Sequence, residues 1–296
     1  MSELLLRRRN LLIHKQEEEM NIRAVCFKAD REQTVAITKV GSAPAITMQY
    51  SYDGVNWDAW DLTPLPFGGS TKVYVRGVNN EKFGTYGANN TFTFSTDAYV
   101  YVSGIAEALL NGENEVLQYS TPYILKMLFN GQTALREAHR LRFESMKNSE
   151  QCYNSMFKGC TNLLTAPELP ATTLGYSAYR SMFSQCISLI KAPSILPATK
   201  LRGWDYAYMF SNCTSLVNAP ELPAETLIGN CYYQMFYNCT SLKTIRCRAK
   251  VKAQDATYLW LNGVKTVGTF YGHSEYGYSS GASGIPTTWT FEELTD

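Results

Sequence analysis

Eight cysteines and three histidines are the residues of this chain whose types could support metal binding or nucleophilic chemistry. Cys160, Cys186, Cys213 and Cys239 fall singly, 26, 27 and 26 residues apart. Zinc sites favour cysteines paired closely, with about two to four residues between them, and this spacing does not supply that. If the four residues stack, strand neighbours about 4.8 Å apart would be close enough for a disulfide. Their Cβ vectors would run parallel, however, and synthesis in the cytoplasm keeps thiols reduced. The expectation is buried packing thiols, with no metal and no cofactor. Cys152 and Cys231 share one place in the pattern with Ala178 and Asp205, an exchange that also points to packing. His14, His139 and His273 stand apart from one another and form no metal-binding pair. A triad assembled from distant residues stays open, but no motif points to one.

Two segments could bind rather than react. Tyr271-Gly-His273-Ser-Glu-Tyr276-Gly-Tyr278-Ser-Ser-Gly281 mixes Tyr with Ser and Gly, the composition of antibody paratopes, which combine rigid aromatic area with adaptable backbone. The competing reading is a loop whose tyrosines fold back on the body. Trp204 stands where corresponding positions carry Ser177 and Asn230. It either covers a local gap or offers a stacking platform for sugar. Asn212-Cys-Thr214 and Asn238-Cys-Thr240 match a glycosylation sequon but fall inside a packed turn, and read as structural.

The elements that must position these residues are repeats. Met156-Phe157-Lys-Gly-Cys160-Thr-Asn-Leu163 recurs at Met182, Met209 and Met235. Tyr153, Tyr179, Tyr206 and Tyr232 precede each Met by three residues. Ala166-Pro167, Ala192-Pro193 and Ala219-Pro220 follow, then Leu169-Pro170, Leu196-Pro197 and Leu222-Pro223, and then Leu174, Leu201 and Leu227. A period of this size predicts a solenoid whose units stack and cannot bury their apolar face alone. The 27-residue unit has one residue more between Pro193 and Pro197, expected to bulge from a short extended segment. A worn copy lies at Leu128-Phe129-Asn-Gly131-Gln132-Thr133-Ala-Leu135, with Gln132 in place of Cys. Within a unit, Tyr-x-x-Met-Phe-x-x-Cys has helical spacing, predicting one to two helical turns. The proline-bounded segment reads as extended.

The pattern Tyr-x-x-Met-Phe-x-x-Cys-Thr-Ser-Leu-x-x-Ala-Pro-x-Leu-Pro-Ala-x-Thr-Leu resembles the BspA-type leucine-rich repeat, in the variant found in surface proteins of gut anaerobes and their phages. The resemblance covers about residues 120–245. It extends to Trp260-Leu-Asn-Gly263-Val, Gly268-Thr-Phe270 and Gly284-Ile285-Pro286-Thr-Thr-Trp289, and to Tyr50-Ser-Tyr-Asp53-Gly54-Val-Asn-Trp57. It implies adhesion or binding and brings no catalytic residues. Ser51–Trp57 also resembles the Asp-box of sialidases, one residue short and present once, and the same residues make an ordinary hairpin turn.

Residues 21–104 carry short β-branched and aromatic runs: Arg23–Phe27, Gln33–Thr38, Ile46–Tyr50, Lys72–Arg76, Thr91–Phe94 and Tyr99–Val102. They predict an immunoglobulin-like β-sandwich. Residues 105–150, with Ile105–Leu110 and Leu135–His139, read as a helical join and N-terminal cap. Residues 151–245 form the solenoid and 246–296 its C-terminal β cap. The fold class expected is thus α+β and β-rich.

The 27 basic and 26 acidic residues argue against a nucleic-acid partner, which calls for a basic surplus. No run of about 18 apolar residues occurs, so no membrane insertion is expected. In Met1–Ile13 the apolar residues Leu4–Leu6 and Leu11–Ile13 are split by Arg7, Arg8 and Arg9. A secretion signal needs a continuous apolar stretch of about 7–15 residues. The segment reads instead as an attachment arm, residues 1–20, in which Leu5, Arg7, Arg8, Arg9 and Leu12 dock on another virion protein. The expectation is a non-enzymatic phage appendage, a fibre or tail-associated protein at the virion surface. It would hold a host-surface glycan or protein, and self-association into a homo-oligomer is compatible with it. A bacterial surface adhesin and a carbohydrate-active enzyme with ancillary repeats are the alternatives.

Overall fold

The computed structural model describes residues 22–112, 121–144, 149–253, 255–274 and 281–295, and it is β-rich with almost no helix. The front part holds β1 (Val25–Ala29), β2 (Gln33–Val40), β3 (Met48–Ser51), β4 (Asp58–Trp60), β5 (Leu65–Phe67), β6 (Val73–Gly77), β7 (Asn89–Phe94), β8 (Val100–Ile105) and β9 (Leu135–Arg142). One sheet has the order β4-β3-β6-β1-β8-β9 and a second has β5-β2-β7. Alternation decides which side chains turn inward: Gln33, Val35 and Ile37 of β2 are buried, Thr34 and Ala36 less so. Phe27 of the larger sheet meets Phe67, Phe92 and Phe94 of the smaller at ring distances of 5.0–6.3 Å. Asp53-Gly54 makes the turn between β3 and β4, where Tyr50 pairs with Asp58.

The expected helices over 105–150 are not there. Among the described residues this stretch holds a single 3₁₀ turn at Ala106–Leu109, and Leu135–Arg142 is a strand. Leu135, Ala138 and Leu141 are buried at a spacing of three, as on a helix. The cause is an irregular register between β9 and its parallel partner β8, which shifts between Val100 and Tyr101 and again between Tyr101 and Ser103. β8 must also pass close to β1. At Gly104, φ is +97° and a Cβ would fall 2.0 Å from the Ala24 carbonyl oxygen, so only glycine fits.

β9 joins the sheets to the repeats. The Leu164 amide donates to the Arg136 carbonyl at 2.9 Å, and Glu137 bridges to Thr165, which bridges in turn to Lys191. The repeats then stack in register, with further parallel columns Ile195–Glu221–Arg246 and Thr173–Lys200–Thr226–Val251. Most rungs of these columns are single bridges. Continuous strands appear only toward the end: β10 (Asn218–Leu222), β11 (Thr226–Leu227), β12 (Thr244–Cys247), β13 (Val251–Lys252), β14 (Thr269–Gly272) and β15 (Thr290–Glu293). β10-β12-β14-β15 are all parallel neighbours, so β12, β14 and β15 prolong the stack.

The Tyr-x-x-Met-Phe-x-x-Cys phrase is not a helix either. From Gln151 to Cys160 alternate amides leave the coil: Tyr153, Ser155 and Phe157 donate to Ala178, Arg180 and Met182 of the next coil at 2.9–3.0 Å. The intervening amides close four-residue turns, as Met156 to Tyr153 at 3.2 Å and Cys160 to Phe157 at 3.1 Å. Every fourth residue has positive φ, here Gln151, Ser155 and Gly159, as the third position of a type II turn requires. A ribbon of such turns repeats every four residues and places i, i+3, i+4 and i+7 inward just as a helix does. The same ribbon runs through 123–132 and 255–263, so the worn copy and the Trp260 stretch are coils too.

Inside the stack, like residues lie on like. Phe92, Phe129, Phe157, Phe183, Phe210 and Phe236 stack at 5.4–5.6 Å, carrying the core of the sheets into the repeats. Tyr153, Tyr179, Tyr206, Tyr232 and Trp260 form a parallel column.

Candidate binding surface

The inward positions do structural work. All eight cysteines are buried and none is joined in a disulfide. The repeat thiols also donate: Cys160, Cys186, Cys213 and Cys239 place Sγ 3.0–3.1 Å from the carbonyl oxygen of Phe129, Phe157, Phe183 and Phe210 in the preceding coil. Burial pushes Cys160 and Cys239 up to about 12, which removes them as nucleophiles at neutral pH. Among the described residues no group of three His, Cys, Asp or Glu side chains is placed to hold a metal ion. His139 lies beside Glu137 at 3.2 Å, and His273 is buried, 3.9 Å from Glu293.

Two buried carboxyls stand among the coils. Glu107 accepts the Tyr153 hydroxyl and the Glu144 amide, and burial pushes it up to about 7. Asp205 accepts the amides of Ser177 and Arg202, and burial likewise pushes it up to about 7. Asp205 thus closes a rung of the ladder, beyond the packing role its place in the repeat suggested. Asp53 holds its own turn: it accepts the amides of Val55 and Asn56 at 2.8 Å, and these bonds lower its carboxyl. Asn212 and Asn238, the sequon residues, sit at positive φ and are bonded to each other at 3.2 Å.

The outward positions are different. Trp204 is half-buried, with its ring 6.4 Å from Tyr208 and 5.3 Å from Tyr233. Tyr208 and Tyr233 are 5.3 Å apart, and Tyr233 is 5.4 Å from Tyr258, whose side is 39% exposed. Tyr176, 44% exposed, lies over Gly203; a Cβ there would come 3.1 Å from its ring. Arg180 completes the group, its guanidinium 4.8 Å from the Trp204 ring and 5.5 Å from that of Tyr208. Partial burial first, then Tyr233, raises the Tyr208 phenol, against Arg180, which lowers it.

This surface is not imposed by the repeat. Tyr208 stands where the other copies carry Ser155, Ser181 and Gln234; Tyr233 stands where they carry Asn154, Arg180 and Ala207. Trp204 and Tyr208 both have positive φ, +66° and +58°, a region that large side chains enter at a cost. Two bulky aromatics are therefore held in the least favourable backbone positions of their coil, and both point outward into one cluster. Of the residues singled out in the sequence, Trp204 belongs to it. Tyr271 lies in β14 with Arg246 above its ring at 4.7 Å and shares no ring contact with the cluster. Tyr276, Tyr278 and the arm residues Leu5, Arg7, Arg8, Arg9 and Leu12 lie outside the described residues. The sequence reading missed Tyr176, Arg180, Tyr208, Tyr233 and Tyr258. Comparing each outward position down its repeat column would have found the last three.

In comparisons with known proteins, no family model, no curated protein and no solved structure matches the chain.

Proposed function

We propose that the chain is a non-enzymatic adhesion protein: a leucine-rich-repeat solenoid of the BspA type behind an immunoglobulin-like sandwich. On this reading it is a phage virion appendage, attached through residues 1–20 to other virion proteins and presenting its coils to a host cell surface. The observation that carries the binding role is the outward cluster of Trp204, Tyr208, Tyr233 and Tyr258, aromatic where the repeat asks for small or polar residues and set partly on unfavourable backbone. The inward thiols, the turn-bound Asp53 and the ladder-bound Asp205 are used up by the fold, which favours binding over chemistry. The basic-apolar pattern of residues 4–13 supports the attachment role. Immunogold labelling of particles and cells from a producing culture tests the placement. Label on particle appendages supports it; label confined to the cell envelope replaces the virion with a cell-surface adhesin, and label confined to the cell interior refutes both.

A further inference from the structure

We propose that the Tyr176–Trp204–Tyr208–Tyr233–Tyr258 surface with Arg180 is a binding site for an acidic glycan, the carboxylate of a uronic or sialic type of sugar docking on Arg180. This rests on the surface-binding role proposed above and names its ligand class.

The charge comes first. Arg180 is held by two aromatic faces, 4.8 and 5.5 Å away, and no carboxylate among the described residues lies within ion-pair distance of it. An aromatic cluster of this kind attracts cations, but here its own guanidinium occupies that role. What the site still lacks is an anion. A guanidinium lying on aromatic rings keeps its edge available, and that edge matches a carboxylate with two parallel hydrogen bonds. The two neighbouring rings restrict the Arg180 side chain, so less rotamer freedom remains to be lost on binding.

The surroundings select the rest of the ligand. The rings extend as an aromatic track across successive coils from Trp204 and Tyr208 to Tyr233 and Tyr258, with Tyr176 over the neighbouring Gly203, and none of these residues lies in a strand whose edge could pair. A peptide bound in extended form takes its main-chain hydrogen bonds from such an edge. The track instead offers aromatic faces and four phenol hydroxyls on partly exposed residues. Apolar sugar faces stack on the former and sugar hydroxyls bond to the latter. The ribbon imposes positive φ at Trp204 and Tyr208 as it does at Ser177 and Gln234; what this use explains is why aromatic side chains stand there, since neither ring contributes to the inward Phe and Tyr columns.

The test uses the full chain on a printed array carrying uronate- and sialate-containing glycans, their neutral cores and acidic peptides, followed by titration calorimetry with the best acidic glycan. The expected result is binding to acidic glycans at least tenfold tighter than to their neutral cores. Arg180→Gln should abolish that preference, and Arg180→Lys should not restore it, because the ammonium cannot pair bidentately. Trp204→Ala and Tyr233→Ala should each weaken binding at least tenfold with the melting temperature of the inward columns retained. Arg180 is on the surface, so its variants keep the test valid if Trp204→Ala unfolds. Binding to no acidic glycan, equal binding to acidic peptides, or unchanged binding by Arg180→Gln overturns the proposal. The two readings fail separately. Periodate-treated cells that still bind the wild type but not Trp204→Ala would refute a glycan while sparing the adhesion role. Loss of all cell binding by the wild type would refute the adhesion role itself.

Discussion

Replacing Phe210 by Ala should remove about 5 kcal/mol of stability. Phe210 is wholly buried and lies 5.6 Å from both Phe183 and Phe236, with ring planes 11° and 4° apart. Truncating a core phenylalanine costs about 3–5 kcal/mol through lost transfer energy and the cavity left behind. Two aromatic pairs, each contributing roughly 0.5–1.5 kcal/mol beyond burial, move this site to the upper end. Phe291 is the control. It is 38% exposed and has a ring neighbour, Phe270, at 6.1 Å, so Phe291→Ala should cost less than about 2 kcal/mol by the same area argument. Urea unfolding followed by circular dichroism gives the global loss. Because stacked repeats can open in segments, hydrogen exchange at the ribbon amides of Phe183 and Phe210 should report the local loss. A Phe210→Ala penalty below about 2 kcal/mol, or no larger than that of Phe291→Ala, would mean the coils do not depend on the Phe column.

The eight thiols should be silent toward a thiol reagent in the native protein and all titrate after denaturation, since all are buried and Cys160, Cys231 and Cys239 are pushed up to about 12; one fast-reacting native thiol would contradict this. Stability should fall as pH rises from about 4 to 7, because Glu107 and Asp205, both held near 7, keep protons in the fold that the unfolded chain has released. Glu107 alone accounts for up to about 3 kcal/mol of that decline, and a melting temperature that climbs between pH 5 and 7 would refute it. Deleting residues 1–20 should leave a soluble protein of unchanged melting temperature that no longer joins its particle; assembly at normal copy number would remove the arm's attachment role.

How much of this was legible depended on whether a side-chain pattern has one backbone solution. The strands of the front part did: runs such as Gln33–Thr38 alternate and are β-branched, and they became β2 and its neighbours. The repeat period and its inward columns were readable because identity recurs at fixed spacing. The ribbon was not, because overlapping turns and a helix bury the same i, i+3, i+4 and i+7 positions. Only the residues at positive φ distinguish them, and Ser155, Gln185 or Tyr208 give no such sign as isolated letters. Leu135–Arg142 misled for a related reason, since register shifts imitated a helical spacing. Trp204 was visible as a departure from its column, but its partner Arg180 comes from the preceding coil, and that meeting depends on stacking. Glu107 was hidden entirely: its partner Tyr153 lies 46 residues away.

The alternating ladder also has a mechanical side. The rungs from Tyr153, Ser155 and Phe157 to the following coil point from one coil to the next. A pull between the two ends of the stack therefore loads them along their length, and a terminal coil can let go while the coils behind it remain closed. Each 26-residue coil that opens lengthens the tether by roughly 90 Å, at about 3.5 Å per residue. A protein of this build gives way under tension in near-equal steps, dissipating work at every step. It can recover its length when the load drops, because each coil that refolds finds an intact template beside it.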